Sequence, residues 1–197
     1  MQFRGASIER KTKETSLALH INLDESGPSV IDTGIGFLNH MLELLMFHAG
    51  VQLTLTCQGD VRVDGHHTTE DIGIIFGAAL REALGSGKGI RRYGQSLLPM
   101  DETLVLVALD ISGRSGCYVD LHFSQSRLGD WDTELLEEFF TALCRSAQCT
   151  LHLKQMAGVN NHHLAEACFK GFGRALREAV TTIGESESVP SSKGVLL

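Results

Sequence analysis

The sequence has no apolar segment close to the roughly 20 residues that a membrane-spanning helix requires. It also lacks low-complexity tracts and long runs of like charge, which excludes a disordered chain. Its five cysteines form no CxxC pair and its polar first residues do not resemble a signal peptide, so we expect reduced thiols and a cytoplasmic location. The net charge of −7 gives no general attraction to nucleic acid or to anionic membranes, and we expect neither as a partner.

The chain contains an internal repeat. When its 197 residues are shifted by 96 positions onto themselves, 14 of the 32 residues from 52 to 83 match, against about 2 for unrelated segments. The match includes two HHxxE motifs, which begin at His66 and His162. We therefore predict a single domain, 1–197, that comprises two pseudo-symmetric halves, about 1–90 and 91–185, and a C-terminal tail, 186–197.

The hydrophobic pattern predicts an α+β fold in which each half runs strand, strand, helix, strand, helix. The apolar helix faces would cover one face of the sheet. Predicted strands are GASIERKT, SLALHINL, QLTLTC, TLVLVALD, GCYVDLHF and CTLHLKQ, and predicted helices span about 36–48, 69–84, 133–147 and 162–183.

Each HHxxE motif has the geometry of a metal-binding segment. At the start of a helix, His66 and Glu70 lie on one face, whereas His67 is rotated by roughly 100°. A single histidine near a helix start is more often a capping or surface residue, but two copies at equivalent positions favour metal binding. Mixed nitrogen and oxygen ligands suit Mn, Fe, Ni or Zn.

Several motifs together resemble one enzyme family. They are Gly34-Ile35-Gly36-Phe37-Leu38-Asn39-His40, Asp64-Gly65-His66-His67-Thr68-Thr69-Glu70-Asp71, Asn160-Asn161-His162-His163-x-x-Glu166 and Pro190-Ser191-Ser192-Lys193-Gly194. From about residue 4 to the C-terminus, the chain is similar to the imidazoleglycerol-phosphate dehydratases of histidine biosynthesis. The resemblance implies a ribosomal S5 domain 2-like fold, two Mn²⁺ ions per subunit, and a homo-oligomer of 24 subunits with sites between chains.

The resemblance also implies roles for individual residues. By the resemblance, the metal ligands are His40, His66, His67, Glu70, His162, His163 and Glu166. The catalytic residues that it implies are Glu14, Glu166 and His67. The residues that it implies as contacts to the substrate and its phosphate are Arg92, Arg114, Lys170, Ser191, Ser192, Lys193 and Asp101. Glu138 departs from the family, which commonly has His at this position, and it is left outside the ligand set. A glutamate there could ligate Mn²⁺, or it could belong to a solvated helix face.

The implied reaction removes water from imidazole glycerol phosphate and gives imidazole acetol phosphate. The C–H bond that must break is not next to a carbonyl, so two metal ions are expected to stabilise the imidazole ring as an imidazolate. Two alternatives use the same ligands: a di-metal hydrolase and a non-catalytic metal-binding assembly protein. Turnover of the imidazole substrate distinguishes the three.

Overall fold

The protein is described by a computed structural model over residues 4–183 and 189–191. The first half contains β1 (Gly5–Lys11), β2 (Thr15–Asn22), β3 (Val30–Asp32), α1 (Gly36–Ala49), β4 (Gln52–Gly59) and α2 (His66–Leu84). The second half contains β5 (Tyr93–Met100), β6 (Thr103–Asp110), β7 (Gly116–Asp120), β8 (Arg127–Leu128), β9 (Trp131–Asp132), α3 (Leu135–Ala147), β10 (Thr150–Ala157) and α4 (Asn161–Val180).

The two halves have the same topology, which confirms the duplicated α+β fold. The sheets have the strand orders β1-β2-β4-β3 and β5-β6-β10-β7. In each sheet the last pair is parallel and the others are antiparallel. Helices α1 and α3 therefore serve as the crossover connections that parallel pairs require.

The structure adds β3 to the first predicted half and β5, β8 and β9 to the second, and it moves some helix ends. Strands β3 and β5 were not predicted; both lie at sheet edges, and β3 has only three residues. Helix α2 begins at His66, three residues before the predicted start, so its histidines belong to the first turn. Helix α4 ends at Val180, three residues before the predicted end.

The helices lie between the two sheets. Each sheet buries one face under helices of its own half, and α1 packs against α4 while α2 packs against α3. The core between the halves includes Phe76, Phe139, Phe140, Phe169 and Phe172, which are all almost fully buried. In the described part of the chain, no helix has the length and apolar composition needed to cross a membrane.

Glycines allow α2 and α3 to approach closely. A Cβ atom on Gly73 would lie 2.6 Å from the carbonyl oxygen of Phe139, and one on Gly77 would lie 2.3 Å from that of Leu143. Gly173 of α4 makes the equivalent approach to Leu45 of α1, where a Cβ would lie 2.5 Å from the carbonyl oxygen. Both helix pairs therefore cross where only glycine fits.

Equivalent elements of the two halves are related by two different sequence offsets. Strand β4 begins at Gln52 and β10 at Thr150, an offset of 150 − 52 = 98. The HHxxE motifs keep the offset of 96, because the segment between the strand and the motif is two residues longer in the first half (60–65) than in the second (158–161). Two residues are one period of a strand, so the inward and outward pattern is preserved.

Candidate metal centre and substrate site

His40, His162 and Glu166 meet at the N-terminal end of α4 and are here called the His40 group. The Nε2 atoms of His40 and His162 each lie 3.0 Å from Oε1 of Glu166. The histidine side chains are 46% and 47% exposed, whereas that of Glu166 is 8% exposed. The buried carboxylate thus lies beneath two accessible imidazoles, an arrangement that suits a metal ion entering from solvent.

Glu166 is held as a carboxylate by its neighbours. Burial raises its pKa, but hydrogen bonds from Lys170, His40 and His162 outweigh this effect and lower the pKa to about 2. The Nζ atom of Lys170 donates to Oε2 at 2.5 Å, across one turn of α4. The charged form needed for metal binding is therefore present throughout the neutral pH range.

His66, Glu70 and Glu138 form a second group, here called the His66 group. One ligand atom from each lies within 4.8 Å of the others, and all three side chains are partly exposed. Arg145 on α3 donates to Oε1 of Glu70 at 3.2 Å. The sequence placed His66 and Glu70 together, and the structure adds Glu138.

A side chain just before each motif accepts a hydrogen bond from the first turn of its helix. The side chain of Asn160 is the N-cap of α4 and accepts hydrogen bonds from the backbone N–H groups of His162 and His163. At the start of α2, Asp64 accepts from the N–H of His66 at 2.8 Å. These contacts fix the first turn, and with it the positions of the ligand side chains.

The second histidine of each motif lies outside these two groups. Nδ1 of His67 lies 3.0 Å from Oδ2 of Asp60, and this hydrogen bond is the main cause of the raised pKa of His67. Nδ1 of His163 lies 2.9 Å from Oε2 of Glu102, and the contact lowers the pKa of Glu102 to about 2. A carboxylate on Nδ1 is the usual support for a histidine that binds metal through Nε2.

Sequence reasoning missed Asp60 and Glu102. Asp60 comes directly after β4, seven residues before His67, and Glu102 lies in the two-residue turn between β5 and β6, 61 residues before His163. Asp101 lies beside Glu102 with a φ of 51°, and its Oδ2 is 3.9 Å from Nε2 of His163. Asp101 therefore occupies a turn and also lies near His163, a candidate metal ligand.

Glu14 lies in the turn between β1 and β2 and is exposed. Its negative charge contributes to the raised pKa of His67, so the two side chains are electrostatic neighbours. The backbone N–H of Glu14 donates to Oγ1 of Thr12, which fixes the turn. This position brings the predicted acid/base residue next to an HHxxE histidine.

The predicted phosphate contacts lie in two places. Arg92 donates to both carboxylate oxygens of Asp110, at 2.7 and 3.2 Å, and to the carbonyl oxygen of Pro190 at 3.0 Å. Arg114 lies 3.9 Å from the same Asp110 and is 68% exposed. Arg92 and Arg114 are here called the arginine pair, and Ser191, which follows Pro190, lies beside it. Ser192 and Lys193 lie outside the described residues.

Lys170 does not join that arginine pair. The backbone N–H of Arg92 donates to the carbonyl of Ala179, near the C-terminal end of α4. Ala179 and Glu166 are 13 residues apart, 179 − 166, which is on the order of 20 Å along a helix. Within one chain, the arginine pair and the His40 group are therefore at opposite ends of α4.

Known proteins resemble the chain over nearly its whole length. The family model for imidazoleglycerol-phosphate dehydratase matches residues 33–176. An imidazoleglycerol-phosphate dehydratase from Clostridium botulinum is 53% identical over 196 residues, which cover 100% of both chains. One from Streptococcus gordonii is 52% identical and covers 98% of this chain and 100% of its own length.

Solved structures agree with this result. The crystal structure of imidazoleglycerol-phosphate dehydratase from Staphylococcus aureus has a TM-score of 0.83 and 44% identity, and the match covers 91% of this chain and 99% of that one. The crystal structure of IGPD from Pyrococcus furiosus, in complex with (S)-C348, also has a TM-score of 0.83, with 41% identity over 96% and 100% of the two chains. On this evidence the chain belongs to the imidazoleglycerol-phosphate dehydratase family, a family of hydro-lyases in histidine biosynthesis.

Proposed function

We propose that this chain converts imidazole glycerol phosphate to imidazole acetol phosphate and water, using two Mn²⁺ ions per subunit. The observation that carries the proposal is the pair of donor groups: each HHxxE motif contributes its first histidine and its glutamate to a separate group. Family membership supports the reaction, and the donor chemistry supports the metal.

The two groups fit a divalent ion of the Mn²⁺ type. Each combines imidazole nitrogen with carboxylate oxygen, and the three ligand atoms lie within 4.8 Å of one another. Carboxylates suit Mn²⁺, and imidazole is accepted by most first-row divalent ions. When bound, two such ions would supply the Lewis acidity that lets the imidazole ring of the substrate accept negative charge.

The second histidines support an active site shared between chains. Asp60 and Glu102 engage Nδ1 of His67 and His163, so Nε2 is the ring atom that remains for a metal. Among the described residues, neither ring belongs to the donor group of its own motif, and His163 instead groups with Asp101 and Glu102. We therefore infer that each ring completes a site of a neighbouring subunit, and the family resemblance suggests an assembly of 24.

The position of the arginine pair supports the same arrangement. Imidazole glycerol phosphate is only a few bonds long, whereas Arg92 and the His40 group are separated by about 20 Å of helix α4. One substrate molecule cannot contact both within a single chain. Arg92, Arg114 and the Pro190–Ser191 segment would therefore bind the phosphate of a substrate whose imidazole ring lies at another subunit's metal groups.

Among the carboxylates, Glu14 suits proton transfer best. An efficient general base has a pKa close to the working pH, and the pKa of Glu166, at about 2, is far below it. Glu166 also accepts from Lys170 and two histidines, which leaves its oxygens engaged. Glu14 is exposed in a turn, and its charge acts on His67, which is proposed to complete a metal site.

The decisive experiment measures product formation by the Mn²⁺-loaded protein. Imidazole acetol phosphate should form from imidazole glycerol phosphate, and Glu14→Gln should lower kcat by about 10²- to 10⁴-fold while metal content stays unchanged. Glu9→Gln is the matched control, because Glu9 is an exposed carboxylate on the neighbouring strand β1.

Two outcomes would contradict the proposal. Release of inorganic phosphate without imidazole acetol phosphate would indicate a hydrolase. Stable Mn²⁺ binding with no turnover of this substrate would indicate a metal-binding assembly protein.

A further inference from the structure

The duplication places Glu138 where the first half has His40. Both crossover helices end in a left-handed cap residue, Gly50 after α1 with φ 65° and Gln148 after α3 with φ 53°. His40 lies 10 residues before its cap, 50 − 40, and Glu138 lies 10 residues before its own, 148 − 138. His40 of the first half groups with His162 and Glu166 of the second, and Glu138 of the second half groups with His66 and Glu70 of the first. The two groups are therefore related by the duplication.

The two groups nevertheless differ in donor chemistry. The His40 group contains two imidazoles and one carboxylate, and the His66 group contains one imidazole and two carboxylates. The remaining members match, because each motif gives its first histidine and its glutamate. Glu138 is therefore the single source of the difference.

The surrounding charges do not cancel this difference. Each motif glutamate has one cationic neighbour: Lys170 lies 2.5 Å from Glu166, and Arg145 lies 3.2 Å from Glu70. Because each group has one such cation, the additional carboxylate of Glu138 leaves the His66 group with one more negative charge than the His40 group. Its glutamate is also more exposed, at 31% against 8%, so its oxygens are more accessible to water.

We propose that the two metal sites have different selectivities, an inference that rests on the proposed metal dependence. Zn²⁺ binds most nitrogen and oxygen sites more tightly than Mn²⁺, but this advantage is smaller at the His66 group, where Glu138 is an oxygen ligand, than at the nitrogen-rich His40 group. A histidine contributed by a neighbouring subunit to each site adds one nitrogen to both and leaves the difference intact. Each subunit therefore holds one site at which Zn²⁺ replaces Mn²⁺ readily and one at which the replacement needs a higher ratio of Zn²⁺ to Mn²⁺.

The test is a metal competition with full-length protein. Metal-free protein is equilibrated with excess Mn²⁺ and increasing Zn²⁺, and bound ions are counted by elemental analysis and by the electron paramagnetic resonance signal of Mn²⁺. In the wild type, replacement of Mn²⁺ should occur in two steps, with the second step at a Zn²⁺ to Mn²⁺ ratio about tenfold higher or more.

Substitutions assign the two steps. Glu138→His should merge them at the lower ratio, and His40→Glu should merge them at the higher ratio. Glu137→His is the matched control, because Glu137 is the exposed neighbour on α3 and belongs to neither group, so the two steps should remain. Circular dichroism verifies that each variant is folded.

One-step replacement in the wild type would overturn the inference, as would a Glu138→His titration identical to that of the wild type. If either result accompanied normal turnover, the proposed function would stand without it. Folded wild type that binds neither ion would overturn both.

Discussion

Nδ1 of His163 lies 2.9 Å from Oε2 of Glu102, although the two residues are 61 positions apart. Glu102 directly precedes Thr103, the first residue of β6, just as Glu14 directly precedes Thr15, the first residue of β2. The turn before the second strand of each half therefore brings a glutamate to the second histidine of that half's HHxxE motif. Glu102 contacts its histidine directly, whereas Glu14 influences His67 through its charge.

Glu102→Gln should weaken metal binding. The variant keeps a hydrogen-bond acceptor near His163 but loses the negative charge that makes the imidazole a better ligand, so we expect metal affinity to fall about 10- to 100-fold. Metal titration of the metal-free protein measures this change. Glu82→Gln, at an exposed position of α2, is the control, and equal affinity in both variants would exclude a positioning role for Glu102.

Arg114→Ala should impair substrate binding without metal loss. Removing one charge-assisted contact to the phosphate costs on the order of 1.5–3 kcal/mol, which raises KM about 10- to 100-fold. Lys193→Ala, in the segment outside the described residues, should behave in the same way. Arg91→Ala, which removes an arginine paired with Glu178 at 3.7 Å, is the control.

Steady-state kinetics with parallel metal analysis separates these roles. His67→Ala should lose metal and nearly all turnover, because it removes a proposed ligand. An unchanged KM in Arg114→Ala, or metal loss in Lys193→Ala, would show that these cations do not act as the phosphate contact.

Asp130→Asn should destabilise the protein in a pH-dependent way. Asp130 accepts from the N–H groups of Gly36 and Phe37, at the start of the helix that carries His40. Burial raises its pKa, but these hydrogen bonds outweigh that effect and the pKa is lowered in the folded state. A carboxyl with a lowered pKa stabilises the fold above its ordinary pKa and loses this effect as the pH falls through the folded-state value.

Urea unfolding at several pH values tests this. At pH 7 the substitution should lower the free energy of unfolding by about 0.3–1 kcal/mol, and the difference should shrink below about pH 4. Glu134→Gln replaces an exposed carboxylate four residues further along and serves as the control. A difference that is constant with pH would show that the charge of Asp130 does not stabilise α1.

Removal of metal should dissociate the assembly. If His67 and His163 donate to neighbouring subunits, each ion stabilises only the assembled state. A chelator, or a pH low enough to protonate the imidazoles, should therefore convert a large particle into smaller oligomers. Light scattering that shows an unchanged particle after verified metal loss would contradict this.

Much of the fold and of the metal groups was predictable from the sequence. The α+β class, the duplication and the family were predicted and are confirmed, because strand alternation and the repeated HHxxE motif are local signals. Strand β5 was missed because Gly94 and Pro99 interrupt its alternation, which an edge strand tolerates. Strand β3 is too short to show a period.

The supporting carboxylates were harder to find for a different reason. Asp60 and Glu102 acquire their roles only when a loop and a turn fold against the starts of two helices, and no spacing in the sequence encodes these contacts. Glu138 was recognised as the counterpart of His40 from the family resemblance, but its position near His66 and Glu70 depends on how α3 crosses α2.

The crossing of α2 and α3 links the glycines of α2 to the geometry of the His66 group. Gly73 and Gly77 set the separation between the backbones of α2 and α3, and the His66 group takes two ligands from α2 and one from α3. The separation between Glu138 and the pair His66 and Glu70 therefore depends on a backbone contact that involves none of these three residues. A single added methyl group at Gly73 would push α3 away from α2 and so move Glu138 away from His66 and Glu70 without changing any donor atom.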